Sequence, residues 1–257
     1  MPIHDAALQK GTELKGKVAL VTGATKNIGR AIARSLASAG AIVAVNSRAS
    51  KEDGDKVVAE IVAAGGQAQA YVADIADGAA VQAMVKSVTD AYGGVDILVL
   101  NASIRKQTPI TEMSFEEWRR IMSISLDGSF HCVKACLPTM TLRRDGAIVT
   151  LGGLMALAGA KNRVHGSVVK HGLVGMTRSL ALDLAEYGIR VNCVAPGQMN
   201  TPPAGEPLVV PSPSKIVPLG RKGEPEEIAA TVRFLCGPSS SFITGQTFHV
   251  NGAQMMF

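Results

Sequence analysis

The stretch that most constrains this chain is Lys17 to Ala33, KVALVTGATKNIGRAIA. Val18 to Val21 is an apolar, β-branched run of strand length, and it stops at a glycine-containing turn. Helical period follows at once, with Ile28, Ile32 and Leu36 recurring every four positions and Ala31, Ala33 and Ala37 small enough to pack closely on a sheet. Strand, tight turn and helix start, in that order, aim free backbone N–H groups and the positive end of a helix dipole at a phosphate. The stretch predicts a nucleotide seat built from Gly23, Thr25, Lys26, Asn27, Ile28 and Gly29, with Asn27 as a residue that tolerates positive φ.

The rest of the chain alternates in the same manner. Further strands are expected at Ala41 to Val45, Gln69 to Ala73, Val95 to Leu100, Ala147 to Leu151, Arg190 to Val194 and Thr247 to Val250. Helices are expected between them at Ser50 to Ala64, Asp77 to Tyr92, Ser114 to Ser125, Gly128 to Met140, His165 to Tyr187 and Glu226 to Leu235. Alternation of this kind predicts one Rossmann-like α/β domain, a doubly wound parallel sheet of about seven strands over residues 17–257, preceded by an N-terminal arm at 1–16. Prolines crowd a Pro-rich stretch at about 198–222, which reads as a substrate loop serving as a lid.

Composition narrows the function. The sequence is 47% apolar with few aromatics, as expected of parallel strands covered on both faces. No apolar run reaches membrane-span length and the start has no signal-peptide core, so a cytoplasmic location with no membrane partner is expected. Cys132, Cys136, Cys193 and Cys236 lack metal-ligand spacing; no metal site is expected and buried free thiols are. The net charge of +5 suits an anionic ligand, but the basic pairs are scattered and form no nucleic-acid stripe.

The end of the second strand chooses between dinucleotides. An acidic residue there would bind the 2′-hydroxyl of NAD; this chain has Asn46, Ser47 and Arg48 instead. A hydroxyl and a guanidinium, with Lys26 within reach, favour a 2′-phosphate, so NADP(H) is preferred over NAD(H). Arg105 and Lys106, just after the fourth strand, are candidates to hold an anionic small-molecule substrate.

Thr22, Gly23 and Gly29 match the T-G-x-x-x-G-x-G turn of short-chain dehydrogenases/reductases, with Asn27 at the middle glycine. KHGLVGMTRSLALDLAEYGIRVNCVAPG, Lys170 to Gly197, and SSFITGQTFHVNG, Ser240 to Gly252, extend the match, so the chain from Lys17 onward resembles that family. The resemblance implies that Asp74 and Ile75 lie beside the adenine. It places Asn101 and Ala102, and beyond the sixth strand Pro196, Gly197, Met199 and Thr201, against the cofactor. It also implies that the helices starting near Gly128 and His165 pack against copies of themselves in a homotetramer or dimer.

In that family a tyrosine phenol exchanges a proton with the substrate oxygen, and a lysine four residues on holds the nicotinamide ribose and lowers the phenol pKa. A serine binds the same oxygen and an asparagine anchors a relay water. Carried over residue by residue, Lys170 retains the lysine position, Gly166 occupies the tyrosine position, Gly153 the serine position and Ser125 the asparagine position. The proton is then expected to be handled by water, by the substrate, or by residues such as Arg163 or His165 in place of the phenol. The resemblance then implies an NADP(H)-dependent oxidoreductase of atypical mechanism, suited to activated C=C or C=N groups. A non-redox enzyme of hydration, elimination or isomerisation, or a non-catalytic NADP(H)-binding protein, is the alternative.

Overall fold

The computed structural model describes residues 9–201 and 214–256. Seven strands, β1 (Val18–Val21), β2 (Ile42–Ser47), β3 (Gln67–Val72), β4 (Ile97–Leu100), β5 (Gly146–Leu151), β6 (Ile189–Pro196) and β7 (Thr247–Val250), form one sheet in the order β3-β2-β1-β4-β5-β6-β7. Every pairing is parallel. The order reverses between β1 and β4, and an open α/β sheet keeps its ligand crevice at the carboxyl ends of the strands at that point.

The helices are α1 (Asn27–Ser38), α2 (Lys51–Ala63), α3 (Gly78–Tyr92), α4 (Phe115–Met122), α5 (Gly128–Arg143), the one-turn α6 (Met155–Ala158), α7 (Val164–Leu184) and α8 (Pro225–Cys236). Two cores lie on opposite faces of the sheet. One packs Ile32 and Leu36 of α1 and Ile228, Val232 and Leu235 of α8 on Val21, Val43 and Val149. The other packs Val81, Val85 and Val88 of α3 and Cys132, Cys136 and Met140 of α5 on Leu20, Leu98 and Ile148.

Local signals explain several helix ends. Ser50, Asp77 and Ser114 accept backbone hydrogen bonds as N-caps, and Gly93 closes α3 with φ 82°. The expected helix from Ser114 to Ser125 ends earlier, because Ser123–Asp127 is a π-helical turn that joins α4 to α5. The apolar residues Phe130, Val133 and Leu137 of α5 do not share one environment. Val133 is buried and Leu137 packs on the core, while Phe130 is 53% exposed.

Residues 9–16 are docked rather than loose. Leu14 is 1% exposed in the first core, its N–H bonds Ala39 O at 3.0 Å, and Glu13 pairs with Arg233 of α8 at 2.6 Å. Of the Pro-rich stretch, residues 202–213 lie outside the described residues. All four cysteines are buried and unbridged. Among the described residues no helix is long and apolar enough to cross a membrane, and no three His, Cys, Asp or Glu side chains gather as a metal site.

Candidate functional site

The turn from β1 to α1 is held open by its own backbone chemistry. Gly23 has φ 60°, and a Cβ on it would lie 3.1 Å from Ala102 Cα. At Gly29 an added Cβ would fall 2.3 Å from Gly23 O and 2.5 Å from Asn101 Nδ2, so only glycine lets the helix start sit this close to the turn. Asn27 adopts φ 49°, the left-handed geometry anticipated for it. Asn101 donates to Thr22 O at 2.9 Å and to Gly23 O at 3.0 Å. The Thr22 hydroxyl in turn accepts from Asn101 N and Ala102 N.

The start of α1 carries no side-chain cap and no acidic residue in its first turn, in contrast to the capped starts of α2, α3 and α4. Its first N–H groups and dipole are thus left for an anion, with exposed Lys26 alongside. These are the features a dinucleotide pyrophosphate needs, and the residues present fit one. Thr25 and Ile28 are half-buried in the same turn and helix start.

Asn46 links the neighbouring strand ends. Its Oδ1 accepts from Gly23 N at 3.3 Å and its Nδ2 donates to Ala73 O at 3.1 Å. At the end of β2 the Ser47 side chain is turned inward, 4% exposed, and donates to Ser50 O at 2.7 Å, while Arg48 is exposed. Strand β2 runs two residues beyond its expected end, which brings Ser47 into the sheet and leaves Arg48 as the cation at its tip. Asp74 accepts from Ala76 N and from Arg120, and Ile75 is buried where an added Cβ on Gly128 would meet it at 2.8 Å.

A second group of residues lies beyond the end of β5. Lys170 of α7 donates from Nζ to Leu151 O at 2.6 Å. Burial, more than the charge of Arg105, pushes its pKa down to about 8, against a smaller raising influence from Cys193. Gly153 faces the same side chain: a Cβ built on it would lie 3.8 Å from Lys170 Cγ, an ordinary contact. At neighbouring Gly152 a Cβ would strike Cys193 Sγ at 2.7 Å. Ser125, in the π-helical turn, donates to Ser103 Oγ at 3.3 Å, which joins that turn to the loop after β4.

The loop after β4 is fastened in three directions by consecutive side chains. Arg105 donates from Nη1 to Thr201 Oγ1 at 3.0 Å, across to the segment after β6. Lys106 pairs with Glu117 of α4 at 2.5 Å. Gln107, with its amide oxygen toward the guanidinium, accepts from Arg163.

Glu117 also accepts from Thr108 Oγ1 at 2.6 Å and lies 3.3 Å from Nε2 of His165, which is 1% exposed. Hydrogen bonds from Lys106 and Thr108, together with the charges of Lys106 and His165, hold the Glu117 carboxyl below its usual range. The other strand ends close the crevice. Gly197 N bonds Val250 O, Leu154 N bonds Pro196 O, and Met199 bridges to Gly223.

The family described as Enoyl-(Acyl carrier protein) reductase matches residues 23–253. The chain belongs to the short-chain dehydrogenase/reductase family. It is 39% identical to a 3-oxoacyl-[acyl-carrier-protein] reductase of Synechocystis over 251 residues, which are 96% of this chain and 100% of that protein. It is 40% identical over 243 residues to the enzyme of the same name from Staphylococcus aureus, covering 93% and 98% of the two chains. A Vibrio cholerae protein of that name is 38% identical over 245 residues, or 95% and 99%.

In this short-chain dehydrogenase/reductase the sequence-inferred residues fall into two groups. Gly23, Asn27, Gly29, Asn101 and Ala102 gather at the β1 turn, while Gly153, Lys170 and Arg105 gather beyond β5. His165 lies against Glu117 and Arg163 donates to Gln107. Lys106 is committed to Glu117, whereas Arg105 bonds Thr201 and its charge reaches Lys170. The chain's three tyrosines stand elsewhere. Tyr71 is on β3, Tyr92 bonds Gln69 of β3, and Tyr187 follows α7 seventeen residues after Lys170, roughly 25 Å along a helix. Asn46 and Glu117 were not singled out from the sequence as site residues; a polar residue inside the apolar run of β2 was the signal for the first.

Proposed function

We propose that the chain is an NADP(H)-dependent oxidoreductase that acts on a small acceptor bearing an anionic group and works without the family's phenol. Its carrying observation is Lys170 anchored at the end of β5 opposite Gly153, with no tyrosine near it. Gly23, Thr25, Lys26, Asn27, Ile28 and Gly29 would hold the pyrophosphate, with Arg48 and Lys26 on the 2′-phosphate. Asp74, Ile75, Asn101, Ala102, Pro196, Gly197, Met199 and Thr201 would border the rest of the dinucleotide, and Lys170 the nicotinamide ribose. When bound, the nicotinamide supplies or accepts a hydride at its C4.

The chain's own residues do the remainder. Arg105, which makes no ion pair with a carboxylate among the described residues, binds the acceptor's anionic group. Glu117 keeps the Arg105 loop in place through Lys106 and Thr108. Gly166 and Gly153 bring neither a proton nor a hydrogen bond to a substrate oxygen. Loss of a placed acid lowers a rate by about 10²–10⁴, so a simple ketone is a poor acceptor and an activated C=C or C=N a better one. The relatives' printed names describe reduction of a 3-oxoacyl group on a carrier protein. Weak activity on such a ketone is compatible with this reading.

NADPH oxidation followed by absorbance tests the proposal, with acetylacrylate as an enone carboxylate, pyrroline carboxylate as an imine carboxylate, and acetoacetyl esters as ketones. The enone or imine turns over fastest on this reading. Flat traces for all of them contradict it, and substrate loss without a change in cofactor absorbance would mark a non-redox enzyme.

A cytoplasmic homo-oligomer completes the reading. Phe130 on α5 and Val168 and Leu182 on α7 are 53%, 41% and 82% exposed, an apolar set on the two helices implied to meet copies of themselves. Light scattering would return a dimer or tetramer mass.

A further inference from the structure

We infer that Lys170 is itself the proton donor to the reduced acceptor, delivering from Nζ into the space beside Gly153. This rests on the oxidoreductase reading above. A lysine ammonium has three N–H groups, and among the described residues Nζ uses one, on Leu151 O at 2.6 Å. No carboxylate pairs with it among the described residues. Gly153 bounds its stem without a side chain, and Gly166 stands one helical turn before it on α7. The remaining N–H groups therefore have no competing acidic partner and no phenol between them and the acceptor.

The groups facing Lys170 agree with a donor role. From the loop after β4 comes Arg105, a fixed cation whose field favours loss of the ammonium proton. From β6 comes Cys193, whose thiol burial pushes up and whose raising influence on the lysine exceeds the lowering by Arg105 but not that by burial. His165, one turn earlier on α7, is directed to Glu117 instead. Burial brings the ammonium to about 8, close enough to neutrality for it to act as a general acid. In the step, an Nζ–H bond breaks and its proton passes to the acceptor's heteroatom or α-carbon, matching the hydride that bound NADPH would supply to the acceptor carbon on being oxidised. Neutral Lys170 then takes a proton from water.

Two measurements test this. In the protein alone, acetylation of Lys170 by acetic anhydride across pH, read by peptide mass spectrometry, should show a midpoint near the value of about 8 rather than the ordinary 10.5. With NADPH and the fastest acceptor, kcat should fall tenfold per pH unit above that midpoint. Lys170→Arg keeps a cation for the ribose but donates poorly. It should lower kcat by about 10²–10⁴ and abolish the descending limb without a comparable loss of NADPH affinity. An ordinary acetylation midpoint, or Lys170→Arg with wild-type kcat and the same limb, overturns the inference. Failure of the wild-type protein to bind NADPH overturns instead the reading beneath it.

Discussion

Gly153 at the end of β5 stands against Lys170 of α7 with room for one more side chain: an added Cβ meets the lysine stem at 3.8–3.9 Å and nothing closer. Serine fits there without displacing backbone. Gly153→Ser is therefore expected to fold normally, and a folded Gly153→Ser, Gly166→Tyr double variant to raise reduction of acetoacetyl esters by about 10²–10⁴, the usual worth of a placed acid. NADPH oxidation by the purified double variant checks this. An unchanged rate in a folded variant would mean the pocket has diverged beyond its proton-transfer groups.

Gly29→Ala places a methyl group 2.3 Å from Gly23 O and 2.5 Å from Asn101 Nδ2. Backbone must shift to admit it, at a cost of about 1–3 kcal/mol typical of overpacking. Denaturant unfolding should show that loss, and fluorescence titration should show NADPH affinity falling with it, because the same turn shapes the phosphate seat.

Arg48 is exposed at the end of β2, whereas Ser47 spends its hydroxyl on Ser50 O. Arg48→Ala should weaken NADPH by roughly 1.5–3 kcal/mol, the worth of a hydrogen bond to a charged group, and leave NADH nearly unchanged. Ser47→Ala should do less to selectivity. Competitive titration with the two nucleotides separates these outcomes.

The Glu117 clip gives a pH dependence whose sign is fixed. Hydrogen bonds from Lys106 and Thr108 hold its folded-state pKa below the unfolded value, so its contribution is complete above the unfolded pKa and is lost as pH falls through the folded one. Trp118, the sole tryptophan, is the next residue in α4. Its fluorescence should change as pH drops below about 4, the ordinary carboxylate range, and Glu117→Gln should remove that change.

Much of this architecture is legible in the amino-acid order. Strand β1, the caps at Ser50, Asp77 and Ser114, and the positive φ of Asn27 follow from short-range chemistry that a few residues settle among themselves. What escapes is chemistry made by residues distant in the chain. Arg105 and Lys106 are adjacent and alike, yet one reaches Thr201, 96 residues on, and the other Glu117, 11 residues on; only the folded loop tells them apart. Ser47 reads as a phosphate ligand until β2 is seen to extend through it and turn its side chain inward. The π-helical turn at Ser125 depends on how α4 and α5 meet, which helical period alone does not encode.

Calorimetric titration of the purified chain with NADPH and with NADH tests the central claim, that a phosphate-reading dinucleotide seat sits beside Lys170 in a pocket without a phenol. The account predicts stoichiometric binding of NADPH, tighter than NADH, and a marked loss of affinity when Arg48 and Lys26 are both replaced by alanine. No heat from either nucleotide with the folded protein would contradict it.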